Sequence, residues 1–331
     1  MSAMKLRLIL TLALVAACSY VAGAKTYATV YQWLHGTGAD KPFKWPEGFG
    51  IRDIPSSVDG KLQKAYFYSA PTSSKRPLLI SLHYWAGNYA TPDALAALAK
   101  LNDWNYIHPD FRGPAVATEN CLSDQVIADL EDAVSFALTN ANVDLQNIYV
   151  VGFSGGAYTA LGWYARTRHP VKAWLAWAPI SDLAEWQLQT KHSGRADLSD
   201  YVLACTGSGT AIDAGAARAR SPLYWPLPTS PRGRVELYAG IKDGHKGTVP
   251  IAHSLAYFNR LVDLYAKPEA AVEPGLAMRL LTQGEAAGST RIGDRVVFLQ
   301  RDVGFASLMV YDGGHELLAD YCFDRLLQLA R

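Results

Sequence analysis

The chain has 331 residues, 50% of them hydrophobic and 11% aromatic, enough apolar mass to bury a sizeable core and to exclude global disorder. Lys and Arg number 31 against 30 Asp and Glu, a net charge of +1 with no basic run. A dedicated nucleic-acid binder concentrates its cations in a stripe, so that class is set aside.

Lys5 and Arg7 precede an apolar run over residues 8–17. This is the pattern of a secretory signal, and the run is too short to span a bilayer. Two exits follow. Ala22-Gly23-Ala24 is a signal-peptidase site that would release Lys25. Val15-Ala16-Ala17-Cys18 also fits a bacterial lipobox, in which Cys18 would carry a lipid anchor. Cleavage after Ala24 removes two cations and no anion, leaving 29 basic against 30 acidic side chains. The expectation is residues 1–24 as signal peptide and 25–331 as one exported domain, periplasmic or secreted, with no transmembrane span.

Residues 63–68 read as an early strand, closed by Ala70-Pro71 and a polar loop. Residues 78–82 are a continuous apolar run, the mark of a central parallel strand buried on both faces. Thr91-Pro92-Asp93 is a helix start with Pro at the first helical position, leading into a helix over 94–100. Residues 104–108 form the next strand. Residues 123–138 are an amphipathic helix: Val126, Ile127, Leu130, Val134 and Leu138 share one face, with the acids on the other. A strand over 148–151 runs into Gly152-Phe153-Ser154-Gly155-Gly156 and then a helix over 157–166. Further strands are expected at 171–178, 235–239 and 307–311, and a closing helix at 317–329. This alternation predicts an α/β domain whose central, mostly parallel sheet is flanked by helices. Residues 184–230, between two core strands, are expected to form a small cap.

Gly152-x-Ser154-x-Gly156 is the strongest chemical signal. A strand that turns at once into a helix passes through a strained elbow, which lifts the Ser hydroxyl above the sheet edge. Serine needs a base to take its proton. His315, in a Gly-Gly turn after the last strand, fits that role; Asp243, just past the preceding strand, is the expected acid that orients the imidazole. Asp182 and Asp302 are the rival acids. The oxyanion requires two backbone donors: the N–H of Gly155 and one from the loop 83–88, with Trp85 the candidate. The side chains of Tyr84 and Trp85 are candidate substrate contacts.

His315-Glu316 lacks the second histidine of H-E-x-x-H, and no Cys/His zinc pattern occurs, so no metal site is expected. There is no G-x-G-x-x-G after an early strand and no P-loop, so no cofactor is expected either. Of the cysteines beyond residue 24, Cys121 lies on the active-site side of the sheet and Cys205 in the cap that folds over it. They are the expected disulfide, with Cys322 a buried thiol.

Gly152 to Gly156, the ordered acid and histidine, and Leu82-His83-x-Trp85-x-Gly87-Asn88 together resemble the α/β-hydrolase superfamily. Asp110-Phe111-Arg112-Gly113-Pro114, Trp177-x-Pro179-Ile180-Ser181-Asp182-Leu183 and Asp243-Gly244-His245-x-Gly247-x-Val249-Pro250 narrow the resemblance. They are similar to exported prolyl-oligopeptidase-like hydrolases, a group near acetyl-xylan-type esterases. The resemblance covers roughly residues 50–331 and implies a Ser154, Asp243, His315 triad. Tyr84 after His83 departs from the commoner His-Gly oxyanion loop, and the chain before residue 78 is too short for the propeller of true prolyl oligopeptidases. The expected function is therefore a secreted serine esterase working through an acyl-enzyme on a small-molecule or carbohydrate ester. A serine exopeptidase with the same triad and a non-catalytic binding protein on a hydrolase scaffold are the alternatives.

Overall fold

In a computed structural model that describes residues 43–265, 267–283 and 290–331, ten strands form one sheet, in the order β1-β2-β4-β3-β5-β6-β7-β10-β9-β8. The expected signal segment 1–24 and Cys18 lie outside the described residues. The strands are β1 (Gly50–Pro55), β2 (Leu62–Tyr68), β3 (Arg76–Leu82), β4 (Asn105–Pro109), β5 (Val143–Phe153), β6 (Ala173–Trp177), β7 (Arg234–Gly240), β8 (Arg291–Ile292), β9 (Arg295–Asp302) and β10 (Ala306–Tyr311). From β4 through β3, β5, β6 and β7 to β10 every neighbouring pair is parallel. The two margins are antiparallel. The central strands are predominantly apolar because helices cover both faces; all five residues of β6 are apolar and buried.

The helices are α1 (Ala94–Leu101), α2 (Asp124–Asn140), α3 (Gly155–Arg166), α4 (Leu183–His192), α5 (Ala196–Thr206), α6 (Ala214–Ala219), α7 (Ala252–Leu264), α8 (Pro274–Gln283) and α9 (Ala319–Ala330). One core contains Leu130, Val134, Trp163, Trp174 and Phe258, from α2, α3, β6 and α7. The other contains Leu95, Trp104, Tyr149, Trp177 and Phe323, on the face covered by α1 and α9. Among the described residues no helix is long and apolar enough to cross a membrane.

Several local expectations need correction. The N-cap of α1 is Asp93, whose side chain accepts from the Leu95 N–H, so Pro92 precedes the cap. Helix α3 begins at Gly155 rather than 157, and α9 at Ala319 rather than 317. The acids of α2 do not all face solvent: Asp129 and Glu131 are each only 2% exposed. Arg112 donates from Nε to Asp129 (2.6 Å), and the Trp163 indole donates to Glu131 (2.6 Å). Buried carboxylates persist only with such partners, and both partners come from other elements.

Candidate active site

Chain order reverses at β3, which has β4 on one side and β5 on the other. A switch point of this kind leaves a crevice at the carboxyl ends of the two strands, because the following loops part to opposite faces. The loop after β3 carries Tyr84 and Trp85, and β5 ends at Phe153, directly before Ser154.

Ser154 has φ 55° and ψ −118°, a conformation costing a non-glycine residue about 1–3 kcal/mol. It is held by the Ser154 N–H donating to the Trp177 carbonyl (2.8 Å) and the Tyr158 N–H donating to the Ser154 carbonyl (2.9 Å). The elbow depends on its glycines. A Cβ at Gly156 would overlap the Leu82 carbonyl, and one at Gly155 would overlap the Trp85 backbone nitrogen. Without side chains there, α3 packs against the end of β3 and the Gly155 backbone lies beside that of Trp85. Among the described residues neither N–H has an acceptor, so two donors stand side by side next to the Ser154 hydroxyl.

His315, four residues beyond β10, places Nε2 3.0 Å from Ser154 Oγ and Nδ1 2.7 Å from Asp243 Oδ2. Asp243 lies beyond the end of β7, buried, and its other oxygen accepts from the N–H groups of Gly244 and Val249, each at 2.9 Å. A carboxylate so held accepts the proton on His315 Nδ1, which leaves a lone pair on Nε2 facing the Ser154 hydroxyl. The rival acids stand elsewhere. Asp182 caps α4, accepting from Ala184 N–H (2.9 Å) and the Tyr224 hydroxyl (2.6 Å). Asp302 ends β9, where Arg234 donates to it at 2.6 Å.

The two aromatic side chains expected near substrate diverge. Tyr84 is half-buried and lines a cavity together with His315. The Trp85 indole is 4% exposed and packs between Tyr158 and Trp186, with ring centroids at 5.2 and 4.8 Å. Trp85 thus contributes its backbone to the crevice and its side chain to the core.

Three further residues stand close to these loops, of which the sequence pattern marks His83 only as part of the Leu82–Asn88 segment. His83 stacks on Phe111 (3.9 Å between centroids) and directs its ring nitrogens at the Asp110 and Tyr84 carbonyls, at 2.8 and 3.0 Å. It thereby pins the start of the Trp85 loop. Burial pulls its pKa down, against those two carbonyls and the Asp110 carboxylate. Trp186 donates from its indole to the Thr248 carbonyl (2.8 Å), one residue before the Val249 N–H that holds Asp243. Lys242 is ion-paired with Asp312.

Cys121 and Cys205 are joined as a disulfide with Cα atoms 5.6 Å apart. Cys322 is a free buried thiol whose pKa burial raises. Among the described residues no cluster of three or more His, Cys, Asp or Glu could hold a metal ion.

No protein-family model matches the chain. No curated protein matches it in sequence. Solved structures do. A puromycin-hydrolyzing peptidase of Mycobacterium tuberculosis aligns with TM-score 0.58 and 15% identity, over 88% of this chain and 41% of that one. An acylaminoacyl peptidase of Pyrococcus horikoshii aligns with TM-score 0.53 and 15% identity, over 67% and 36%. An esterase of Pyrococcus furiosus aligns with TM-score 0.54 and 14% identity, over 88% and 93%. The chain thus spans about two fifths of the length of the peptidases and nearly the whole of the esterase. All three are serine hydrolases of the α/β-hydrolase superfamily, and the likeness shows that this chain has the α/β-hydrolase fold.

Proposed function

We propose that the protein is an exported serine esterase. The observation that carries this reading is the hydrogen-bonded series Ser154–His315–Asp243 at a strained elbow, beside the two N–H donors of Gly155 and Trp85. Ser154 Oγ attacks the ester carbonyl as its proton passes to His315 Nε2. The carbonyl oxygen becomes an oxyanion between the two N–H groups. The intermediate collapses with breakage of the C–O bond, and His315 returns the proton to the leaving alkoxide. Water, deprotonated by the same histidine, then attacks the acyl-enzyme; collapse releases the acid and regenerates Ser154.

The ester reading is supported by the match to an esterase of similar extent. Export is supported by the basic start and apolar run within residues 1–24, and by a disulfide of the kind that persists in oxidising compartments. Acylated carbohydrate is the substrate class favoured by an exported esterase with many aromatic side chains. A second reading, a serine exopeptidase using the same residues, is favoured by the two peptidase neighbours.

A fluorophosphonate probe should label the full chain at Ser154 and nowhere else. The unlabelled enzyme should hydrolyse short-chain p-nitrophenyl esters faster than dipeptide amides, and labelling should abolish both activities. Labelling elsewhere would overturn the nucleophile assignment, and faster amide cleavage would favour the exopeptidase. Fractionation, with the mass of the mature N-terminal peptide, separates release at Lys25 from acylation at Cys18.

A further inference from the structure

On the face of the sheet covered by α1 and α9, a cavity of about 250 Å³ is lined by Phe153, the residue before Ser154, and by His315, whose Nε2 is 3.0 Å from Ser154 Oγ, among others. Its polar lining includes buried Ser81 and His108 and half-buried Tyr84, Asp93 and Glu316. His108 is the anomaly. It is 2% exposed, and among the described residues neither ring nitrogen has a partner at hydrogen-bond distance and angle, the backbone of Ser81 and Asn88 lying nearby without that geometry. The nearest carboxylate oxygen, Asp93 Oδ2, is 3.8 Å from its Nδ1. That carboxylate is already committed, to the Leu95 N–H (2.8 Å) and the Tyr106 hydroxyl.

Buried polar groups are almost always paired, and an orphaned imidazole destabilises the fold unless something arrives to pair it. Burial lowers the pKa of His108 to about 4, against the pull of Asp93 and the backbone of Ser81 and Asn88. At neutral pH the ring is therefore uncharged, with one nitrogen a donor and the other an acceptor.

We propose that this cavity is the subsite for the leaving alcohol, and that His108 recognises a free hydroxyl on that alcohol, a polyol or sugar ring acylated at a neighbouring oxygen. The proposal rests on the esterase reading and names its substrate class. A hydroxyl both donates and accepts, as the neutral ring does. An anionic group is disfavoured by Asp93 and Glu316. An ammonium finds no bare carboxylate, since Glu316 is paired with Arg295 at 3.2 Å and Asp93 is committed as above. The volume lies below the usual range for drug-sized ligands and suits one ring. The cavity is assigned to the leaving group because His315, which must protonate the departing oxygen, stands in its wall.

The test avoids turnover. Ser154→Ala protein, labelled with ¹⁵N at histidine, is titrated with methyl glucopyranoside and, in parallel, with cyclohexanol. The glycoside should shift the His108 ring-nitrogen resonances saturably and cyclohexanol should not. His108→Leu should weaken glycoside binding by about tenfold, and His108→Gln, which keeps a donor and an acceptor, should retain most of it. In otherwise wild-type protein, His108→Leu should lower by about tenfold the ratio of kcat/KM for an acetylated methyl glucopyranoside to that for cyclohexyl acetate. No saturable glycoside binding, binding that leaves His108 unshifted, or equal shifts with cyclohexanol would each overturn the subsite and leave a cavity that holds water only. These readings stand even if His108→Leu fails to fold. Failure of the esterase reading is seen separately, as absence of fluorophosphonate labelling at Ser154.

Discussion

Asp243→Asn tests the site with the least change of shape. In the native protein Asp243 Oδ1 accepts two backbone N–H groups, from Gly244 and Val249 at 2.9 Å, while Oδ2 accepts from His315 Nδ1 at 2.7 Å. An asparagine there has two orientations. With its NH₂ at the Oδ1 position, it faces two N–H donors and leaves both unpaired in a buried site, at about 1–3 kcal/mol each. It therefore keeps its oxygen at Oδ1 and presents the NH₂ to His315. That forces the imidazole proton onto Nε2, where it points at Ser154 Oγ and blocks proton removal. The corresponding change in a serine protease lowers kcat about 10⁴-fold, equivalent to roughly 5.5 kcal/mol of barrier. The assay is kcat on p-nitrophenyl acetate at neutral pH, with near-UV circular dichroism to confirm the fold. Asp182→Asn serves as the comparison; Asn also caps helices well, so its kcat should stay within about threefold. A loss below tenfold in Asp243→Asn, or a larger loss in Asp182→Asn, would refute the acid assignment.

Gly156→Ala should destabilise the protein by about 1–3 kcal/mol or more, because the added Cβ meets the Leu82 carbonyl, a backbone atom with no room to retreat; an unchanged melting temperature would contradict the close approach. Peptide mapping without reduction should recover Cys121 joined to Cys205. Replacing both with Ala should lower stability by up to about 4–5 kcal/mol on the chain-entropy account for a separation of 84 residues. A free thiol at Cys121, or a link to Cys322, would overturn that pairing. Stability should also fall in acid. Burial lowers His253 and His108 from 6.5 to about 4, so each contributes fully above pH 6.5 and loses that contribution as pH drops through about 4. At 1.36 kcal/mol per unit, this is on the order of 3 kcal/mol apiece. Urea titrations from pH 7 to pH 4 should show the decline, and His253→Gln should flatten it.

The parts legible in the sequence are those whose signal is local. The C-terminal parts of β3 and β5 and nearly all of β6 and β10 are apolar runs because both of their faces are covered, whereas β7 carries buried Glu236 mid-strand; Ser154, Asp243 and His315 follow β5, β7 and β10 within a few residues. The parts not legible depend on partners distant in the chain. Nothing in the spacing of α2 marks Asp129 and Glu131 as inward, because Arg112 lies in a loop and Trp163 on α3. Propensity starts α3 two residues late because Gly155 and Gly156 are poor helix formers; they are required there by the approach of β3, a tertiary fact. The antiparallel strands β1 and β9 lie toward the margins of the sheet and lack the apolar continuity of the central strands. His108 reads as the end of an ordinary strand, since an orphaned imidazole has no signature in composition or periodicity.

The helical segment from α4 to α6 is tied to both halves of the candidate site. Trp186 on α4 donates to the Thr248 carbonyl, and the next residue, Val249, supplies one of the two N–H groups that hold Asp243. On the other side, Cys205 of α5 is bridged to Cys121 and places its sulfur 3.5 Å from the Ala115 carbonyl. The Ala115 N–H in turn donates to the Trp85 carbonyl at 2.8 Å. Trp85 carries one proposed oxyanion donor, and its indole packs on Trp186. A shift of this segment would therefore strain the acid loop and the oxyanion loop together. Preorganised donors stabilise a developing charge because they need no reorganisation as it forms. In this fold the required rigidity comes from a covalent bridge on one side and an indole hydrogen bond on the other, joined by the packed Trp85–Trp186 pair.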